Sequence, residues 1–177
     1  MMKRTLIASV LLATSFVSSA MTLTSQDIQE GSRMTDSFVF NGFGCSGDNL
    51  SPQLSWKDVP AGTKSFAITA YDPDAPTGSG WWHWVAIDIP ASVNAIERGQ
   101  ATQGFNGVQM KNDYGIASFG GACPPKGDGM HRYQFTVWAM PTEKLAIPQG
   151  ASNAIIGYML NANALDKATL TATYVNE

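Results

Sequence analysis

Apolar and polar residues alternate along several stretches of the chain. In Lys64-Ser65-Phe66-Ala67-Ile68-Thr69-Ala70-Tyr71, the residues Phe66, Ile68 and Ala70 fall on one face of a strand. In residues 83–89, His83, Val85, Ile87 and Ile89 share a face. In residues 131–138, His131, Tyr133, Phe135 and Val137 share one. This period-two pattern predicts half-buried strands. A threonine-rich last strand is expected over residues 169–175, and shorter strands near residues 38–41 and 53–56. One segment has helical spacing instead. Ser152 or Asn153 caps it, Ile155, Ile156, Met159, Leu160 and Leu165 fall near the helical period, and Asn161-Ala162-Asn163 is expected to fray its end. Strands separated by turns, with a single late helix, predict a mainly β, single-domain antiparallel β-sandwich.

The first 20 residues break this pattern. Lys3 and Arg4 precede a short apolar stretch, and Ser18-Ser19-Ala20 offers small residues for cleavage. Residues 1–20 therefore read as a secretory signal peptide cleaved after Ala20, with one domain over residues 21–177. The apolar run is too short to span a bilayer comfortably, and no later stretch approaches about 20 apolar residues. The residue after the expected cut is Met21 rather than cysteine, so a lipoprotein is not indicated. The expected location is periplasmic or secreted.

Composition narrows the class. Of 177 residues, 14% are charged and 44% hydrophobic, which excludes a disordered tail. The formal net charge is -3, with no basic run, which argues against nucleic acid or a polybasic membrane anchor as partner. Loss of Lys3 and Arg4 with the leader makes the remaining chain more acidic still. The 17 glycines and nine prolines lack a period, so they mark turns rather than collagen.

Export changes the reading of the two cysteines, Cys45 and Cys123. In an oxidising compartment they favour one disulfide over two free thiols. It would close a loop of about 79 residues, contributing up to about 4.5 kcal/mol through chain entropy. A zinc site is disfavoured, because the chain has no CxxC and only two histidines. No metal, cofactor or catalytic residue is assigned.

Three places interrupt the plain pattern of core and solvated surface. Asp72-Pro73-Asp74-Ala75-Pro76 sets two carboxylates on a stiff turn after a strand. Gly80-Trp81-Trp82-His83-Trp84 surrounds one histidine with tryptophans. Cys123-Pro124-Pro125-Lys126-Gly127-Asp128-Gly129-Met130-His131-Arg132-Tyr133 leads through a rigid corner into the other. Each alone is more often an ordinary turn or rim. Together they put ligand-capable groups at the ends of buried strands. If those strands are neighbours, Asp72, His83, His131 and Tyr133 meet in one aromatic-walled pocket suited to an anion. Asp72 would then set a histidine's tautomer or raise its pKa.

These three segments, with Asn49-Leu50-Ser51-Pro52-Gln53-Leu54-Ser55-Trp56, resemble the signatures of the phosphatidylethanolamine-binding protein family, also called Raf-kinase-inhibitor-like. The Gly-Gly-Ala-Cys-Pro-Pro form and the leader resemble its exported bacterial branch. The resemblance implies a β-sandwich with a small pocket for anions and phosphorylated headgroups. Carried over by motif, Asp72, His83, Pro124, His131 and Tyr133 line that pocket. Asp74 braces the turn, Trp82 and Trp84 flank the site, and Pro125 supports it.

The expected function is thus an exported binding protein for a phosphate-like or anionic headgroup. A second reading is an interaction protein, an inhibitor of a kinase or protease or a homodimer, docking through Trp81, Trp82 and Phe105. A third is a hydrolase in which Asp72 with His83 or His131 activates water or a serine such as Ser79 or Ser118. The chain has no GxSxG, HExxH or phosphate loop to support it.

Overall fold

The computed structural model describes residues 20–177, so the expected signal peptide lies outside the described residues but for Ala20. In chain order the strands are β1 (Thr22–Thr24), β2 (Asn41–Gly42), β3 (Cys45–Ser46), β4 (Leu54–Lys57), β5 (Ser65–Asp72), β6 (Trp81–Pro90), β7 (Ala95–Ile96), β8 (Val108–Gln109), β9 (His131–Met140) and β10 (Asp166–Tyr174). A helix, α1 (Asn153–Asn163), lies between β9 and β10. Pairing is antiparallel throughout the named strands. The main sheet has the order β10-β9-β5-β6-β8, a smaller one β1-β4-β7, and β2 and β3 form a ribbon.

The two sheets enclose the larger core. Leu23, Leu54, Trp56 and Ile96 of the small sheet meet Phe66, Ile68, Trp84, Phe135 and Val137 of the main one. The other face of the main sheet carries Ala67, Val85, Ile87 and Trp138, and α1 covers it with Ile156 and Leu160. Strand β5 is therefore buried on both faces along nearly its whole length. The half-buried expectation holds only at strand ends. Alternation shows which residues share a face, not whether the second face is covered.

The sequence pattern also mis-sorts β6. Its pairing with β5 shifts register between Phe66 and Ile68 and again between Ala70 and Tyr71. Each shift is a bulge that adds a residue and reverses the alternation beyond it. Val85 and Ile87 consequently face α1, whereas Trp84 and Ile89 face the small sheet. Asp88, at φ 57°, takes the left-handed conformation at one bulge. His83, between paired Trp82 and Trp84, sits at the other.

The helix begins as expected. Ser152 is its N-cap, its Oγ accepting from the Ile155 N–H. It does not fray at residues 161–163 but runs through Asn163. Leu165 lies beyond it and is exposed. Gly157 permits close packing, since a Cβ there would lie 2.5 Å from Trp82 Cη2. The region near residues 38–41 is a 3-10 turn at Asp36–Phe38 leading into β2, rather than one strand. Cys45 and Cys123 form a disulfide that joins the ribbon to the loop before Pro124. Among the described residues no helix is long and apolar enough to cross a membrane.

Candidate functional site

A cavity of about 160 Å³ opens where β5 ends and β6 and β9 begin. Asp72, His83 and His131 lie along it, with Pro124 and Pro125 at one side. Phe43, Trp81 and Tyr114 form its aromatic wall. Each polar group arrives from a separate element, and each is held from behind.

Asp72 closes β5 and is buried. Its Oδ1 accepts the Asp74 N–H at 2.8 Å, the bond of a tight turn. Its Oδ2 accepts from His131 Nδ1 at 2.7 Å. Both carboxylate oxygens are thus committed. Asp74 braces the turn outward. It accepts the Arg132 backbone N–H at 2.9 Å, and the Arg132 guanidinium through Nε at 2.8 Å and Nη2 at 2.7 Å. Those bonds hold its pKa below the usual value.

His131 opens β9 and is equally buried. Its second nitrogen, Nε2, donates to Asp128 Oδ2 at 3.2 Å. Burial opposes the imidazolium, but the bond and charge of Asp72, then those of Asp128, outweigh it. The pKa is raised above 6.5.

His83 is held differently. Its Nδ1 donates to the carbonyls of Gly120 at 2.8 Å and Gly121 at 3.1 Å. That fixes the tautomer and leaves Nε2, on a residue that lines the cavity, without a hydrogen-bond partner among the described residues. Burial dominates here and lowers the pKa below 6.5, against the weaker pull of the carbonyls and of Asp72. The two rings are therefore shifted in opposite directions, His131 toward the imidazolium and His83 toward the neutral form.

The loop supplying those carbonyls is itself organised by Asn112, which is buried. Its Nδ2 donates to the carbonyls of His83 at 2.8 Å and Ser118 at 3.1 Å, and its Oδ1 accepts from the Tyr114 and Ile116 N–H groups. Asn49 Oδ1 accepts the Gly121 N–H at 2.7 Å, which ties the early Asn49 motif to the site. Gly121 has no room for a side chain, since a Cβ would stand 2.4 Å from the Phe38 carbonyl. Tyr114 donates its hydroxyl to the Gly121 carbonyl at 3.1 Å and stacks on Phe40 with ring centroids 4.0 Å apart. Burial pushes its pKa up.

Of the residues expected at the site, Asp72, His83, Pro124, Pro125 and His131 come together at the cavity. Four do not line it, and Asp74 is one, its carboxylate being taken up by Arg132. Tyr133 lies behind His83, ring centroids 5.1 Å apart, with its buried hydroxyl lacking a partner among the described residues. Trp82 is turned to the opposite face, against Tyr71 and α1. Trp84 is buried between the sheets and donates to Gln109 Oε1 at 2.8 Å. The bulge at His83 causes the last two corrections, because neighbours two residues apart then point to opposite faces.

The exposed docking aromatics are also corrected. Trp81 and Trp82 are half-buried, and Phe105 packs edge-on against Trp84. Among the described residues the large exposed aromatics are Phe43 and Tyr158. Ser118 donates its hydroxyl to the Ala101 carbonyl, and neither it nor Ser79 lines the cavity. Sequence reasoning did not single out Tyr114, Asn112 or Asp128. Asn112 and Tyr114 lie in a loop without periodicity, and Asp128 reads as a turn residue. The Gly-Gly pair before Cys123 was the one available signal that a backbone approaches closely there.

A family model for phosphatidylethanolamine-binding protein matches residues 24–175. The UPF0098 protein YbcL of Escherichia coli K12 is 52% identical, the match covering 97% of this chain and 98% of YbcL. YbhB of the same organism is 46% identical over 87% of this chain and 99% of its own. The crystal structure of E. coli YbcL, described as a new member of the mammalian PEBP family, superposes with a TM-score of 0.84 at 51% identity. That superposition covers 90% of this chain and 100% of YbcL's. With matches of this extent in sequence and in fold, the chain belongs to the phosphatidylethanolamine-binding protein family.

Proposed function

We propose that the protein is a non-enzymatic binding protein that takes a small anion, phosphate or a phosphorylated headgroup, in the cavity between β5, β6 and β9, and that it acts outside the cytoplasm. The observation that carries this reading is that two buried histidines with different partners meet at one cavity: both ring nitrogens of His131 face carboxylates, which favours its imidazolium, whereas His83 commits only Nδ1, to backbone carbonyls. An imidazolium supplies positive charge and an N–H donor. A neutral imidazole with its Nδ1–H committed offers Nε2 as an acceptor. A hydrogen-bearing phosphate uses both, accepting from one ring and donating to the other. The family's own description, binding of phosphatidylethanolamine, agrees with a phosphate-bearing ligand.

The compartment is supported by the disulfide, which persists in oxidising surroundings, and by the leader-like residues 1–20. Among the described residues lining the cavity, the Thr77 and Tyr114 hydroxyls are both donated to backbone carbonyls, of Gly80 and Gly121, which favours a binding role over attack by a hydroxyl nucleophile.

The test is a histidine side-chain ¹H–¹⁵N spectrum of the purified disulfide-bonded protein, titrated with phosphoethanolamine and with inorganic phosphate at pH 6. Signals of both His83 and His131 are expected to move at millimolar ligand. Unmoved signals would refute the anion site. Mass spectrometry of protein recovered from the periplasm is expected to give a chain starting at Met21.

A further inference from the structure

We propose that Asp128 decides which anions the cavity admits: its carboxylate occupies the one His131 N–H not taken by Asp72, and a ligand enters by replacing it. This rests on the anion-binding reading above and adds the ligand selection.

The two carboxylates on His131 differ in how they are held. Asp72 is buried, approaches to 2.7 Å and has its other oxygen bound by the Asp74 N–H. Asp128 approaches only to 3.2 Å, and its side chain is 41% exposed. It sits on a turn whose residues 125–130 are all exposed. Its backbone N–H closes that turn onto the Pro125 carbonyl at 3.1 Å. Among the described residues, His131 is the only hydrogen-bond partner of its carboxylate. Asp128 therefore leaves at the cost of one contact, whereas Asp72 cannot leave without unmaking the turn.

Charge favours exchange over addition. The imidazolium with Asp72 and Asp128 sums to one net negative charge, so an anion added beside them meets repulsion. An anion that replaces the Asp128 carboxylate leaves the charges facing His131 balanced as before.

Exchange also selects. Asp128 is tethered three residues from His131, so it competes at an effective concentration on the order of millimolar or higher. A free monocarboxylate such as acetate offers the same chemistry without the tether and loses. Phosphate or a phosphate monoester carries more oxygens and, when protonated, donates in addition to His83 Nε2. It wins by that second contact. Asp128 thus sets a threshold that passes phosphate-like anions and rejects simple carboxylates.

The experiment titrates wild type, D128A and D128N with inorganic phosphate and, separately, with acetate at pH 6, reading His83 and His131 side-chain signals. Wild type is expected to respond to phosphate and not to acetate. In D128A both anions move the His131 signal, and phosphate binds about threefold to tenfold tighter, the value of one freed charged contact. D128N, which keeps the shape of the turn, shifts the same way. Without ligand, His131 in D128A titrates at a lower pH than in wild type. Equal responses to acetate in wild type and both variants overturn the proposal and leave the anion site standing. So does an unchanged His131 midpoint. Silence of both histidines toward phosphate in all three proteins overturns the anion site together with the selection by Asp128.

Discussion

His83 and His131 line one cavity and both have little exposed surface, yet their pKa values are shifted in opposite directions. The His83 side of the cavity is backbone: two carbonyls of residues 120–121 fix its Nδ1–H, and burial lowers its pKa. The His131 side is carboxylate: Asp72 and Asp128 bracket the ring and raise its pKa. Burial alone does not decide a histidine's charge. Dipolar acceptors without net charge lose to desolvation, and full charges at hydrogen-bond distance beat it.

The largest way to break this contrast is His131→Ala. It leaves the Asp72 carboxylate buried without its partner and is expected to destabilise the fold by about 3–5 kcal/mol in urea unfolding. Adding Asp72→Asn to that variant should recover part of the loss. If the double variant is no more stable than the single one, the charge pair does not organise this side.

Next comes the link between the two sides. Cys123 lies between the carbonyl-bearing loop and the Pro124-Pro125 corner. Replacing both cysteines by serine is expected to cost about 2–4 kcal/mol. It should also broaden both histidine signals, since both walls lose their anchor to the ribbon. A change confined to stability, with sharp histidine signals, would separate the disulfide from the site.

His83→Ala is expected to cost less, about 1–3 kcal/mol, by leaving the Gly120 and Gly121 carbonyls buried without a donor. His131 should keep its raised pKa in this variant, because its partners are untouched. A His131 midpoint that falls with His83 removed would show the two sides to be one coupled unit.

The smallest effect is the pH dependence of stability, in which the two histidines act with opposite sign. His131 binds its proton more tightly in the folded state. Its contribution is full below about 6.5, the usual value, and is lost as pH rises from there through the raised folded value. His83 holds its proton less tightly when folded. Its contribution is full above about 6.5 and is lost as pH falls from there through the lowered value. Stability is expected to peak near that pH. His131→Gln should flatten the alkaline limb, and His83→Gln the acid one. A profile that His83→Gln leaves unchanged below pH 6.5 would refute the neutral, desolvated state of that ring.

Much of this molecule is legible in its residues. Alternation located β5 and β9, whose mutual pairing runs without a register shift, and threonine content located β10 from residue 169 on, three residues after its start at Asp166. Ser152 marked the helix start through its capping side chain. Two cysteines in an exported-looking chain left a single intramolecular pairing. The three proline- and glycine-rich segments named Asp72, His83, Pro124 and His131, since rigid turns beside polar residues at strand ends are a local property of sequence.

What alternation could not carry was parity through β6. Each bulge adds one residue, and one residue reverses the faces, so Trp82 and Trp84 went to opposite sides and His83 turned toward Tyr133. The protonation states were also beyond the sequence. The carbonyls that hold His83 come from residues 37 and 38 positions away, and Asp72 is 59 positions from His131. Residue identity supplied the titratable rings. Only the folded chain supplied the distances, and electrostatic energy depends on distance, so the charge of each ring was settled by tertiary structure.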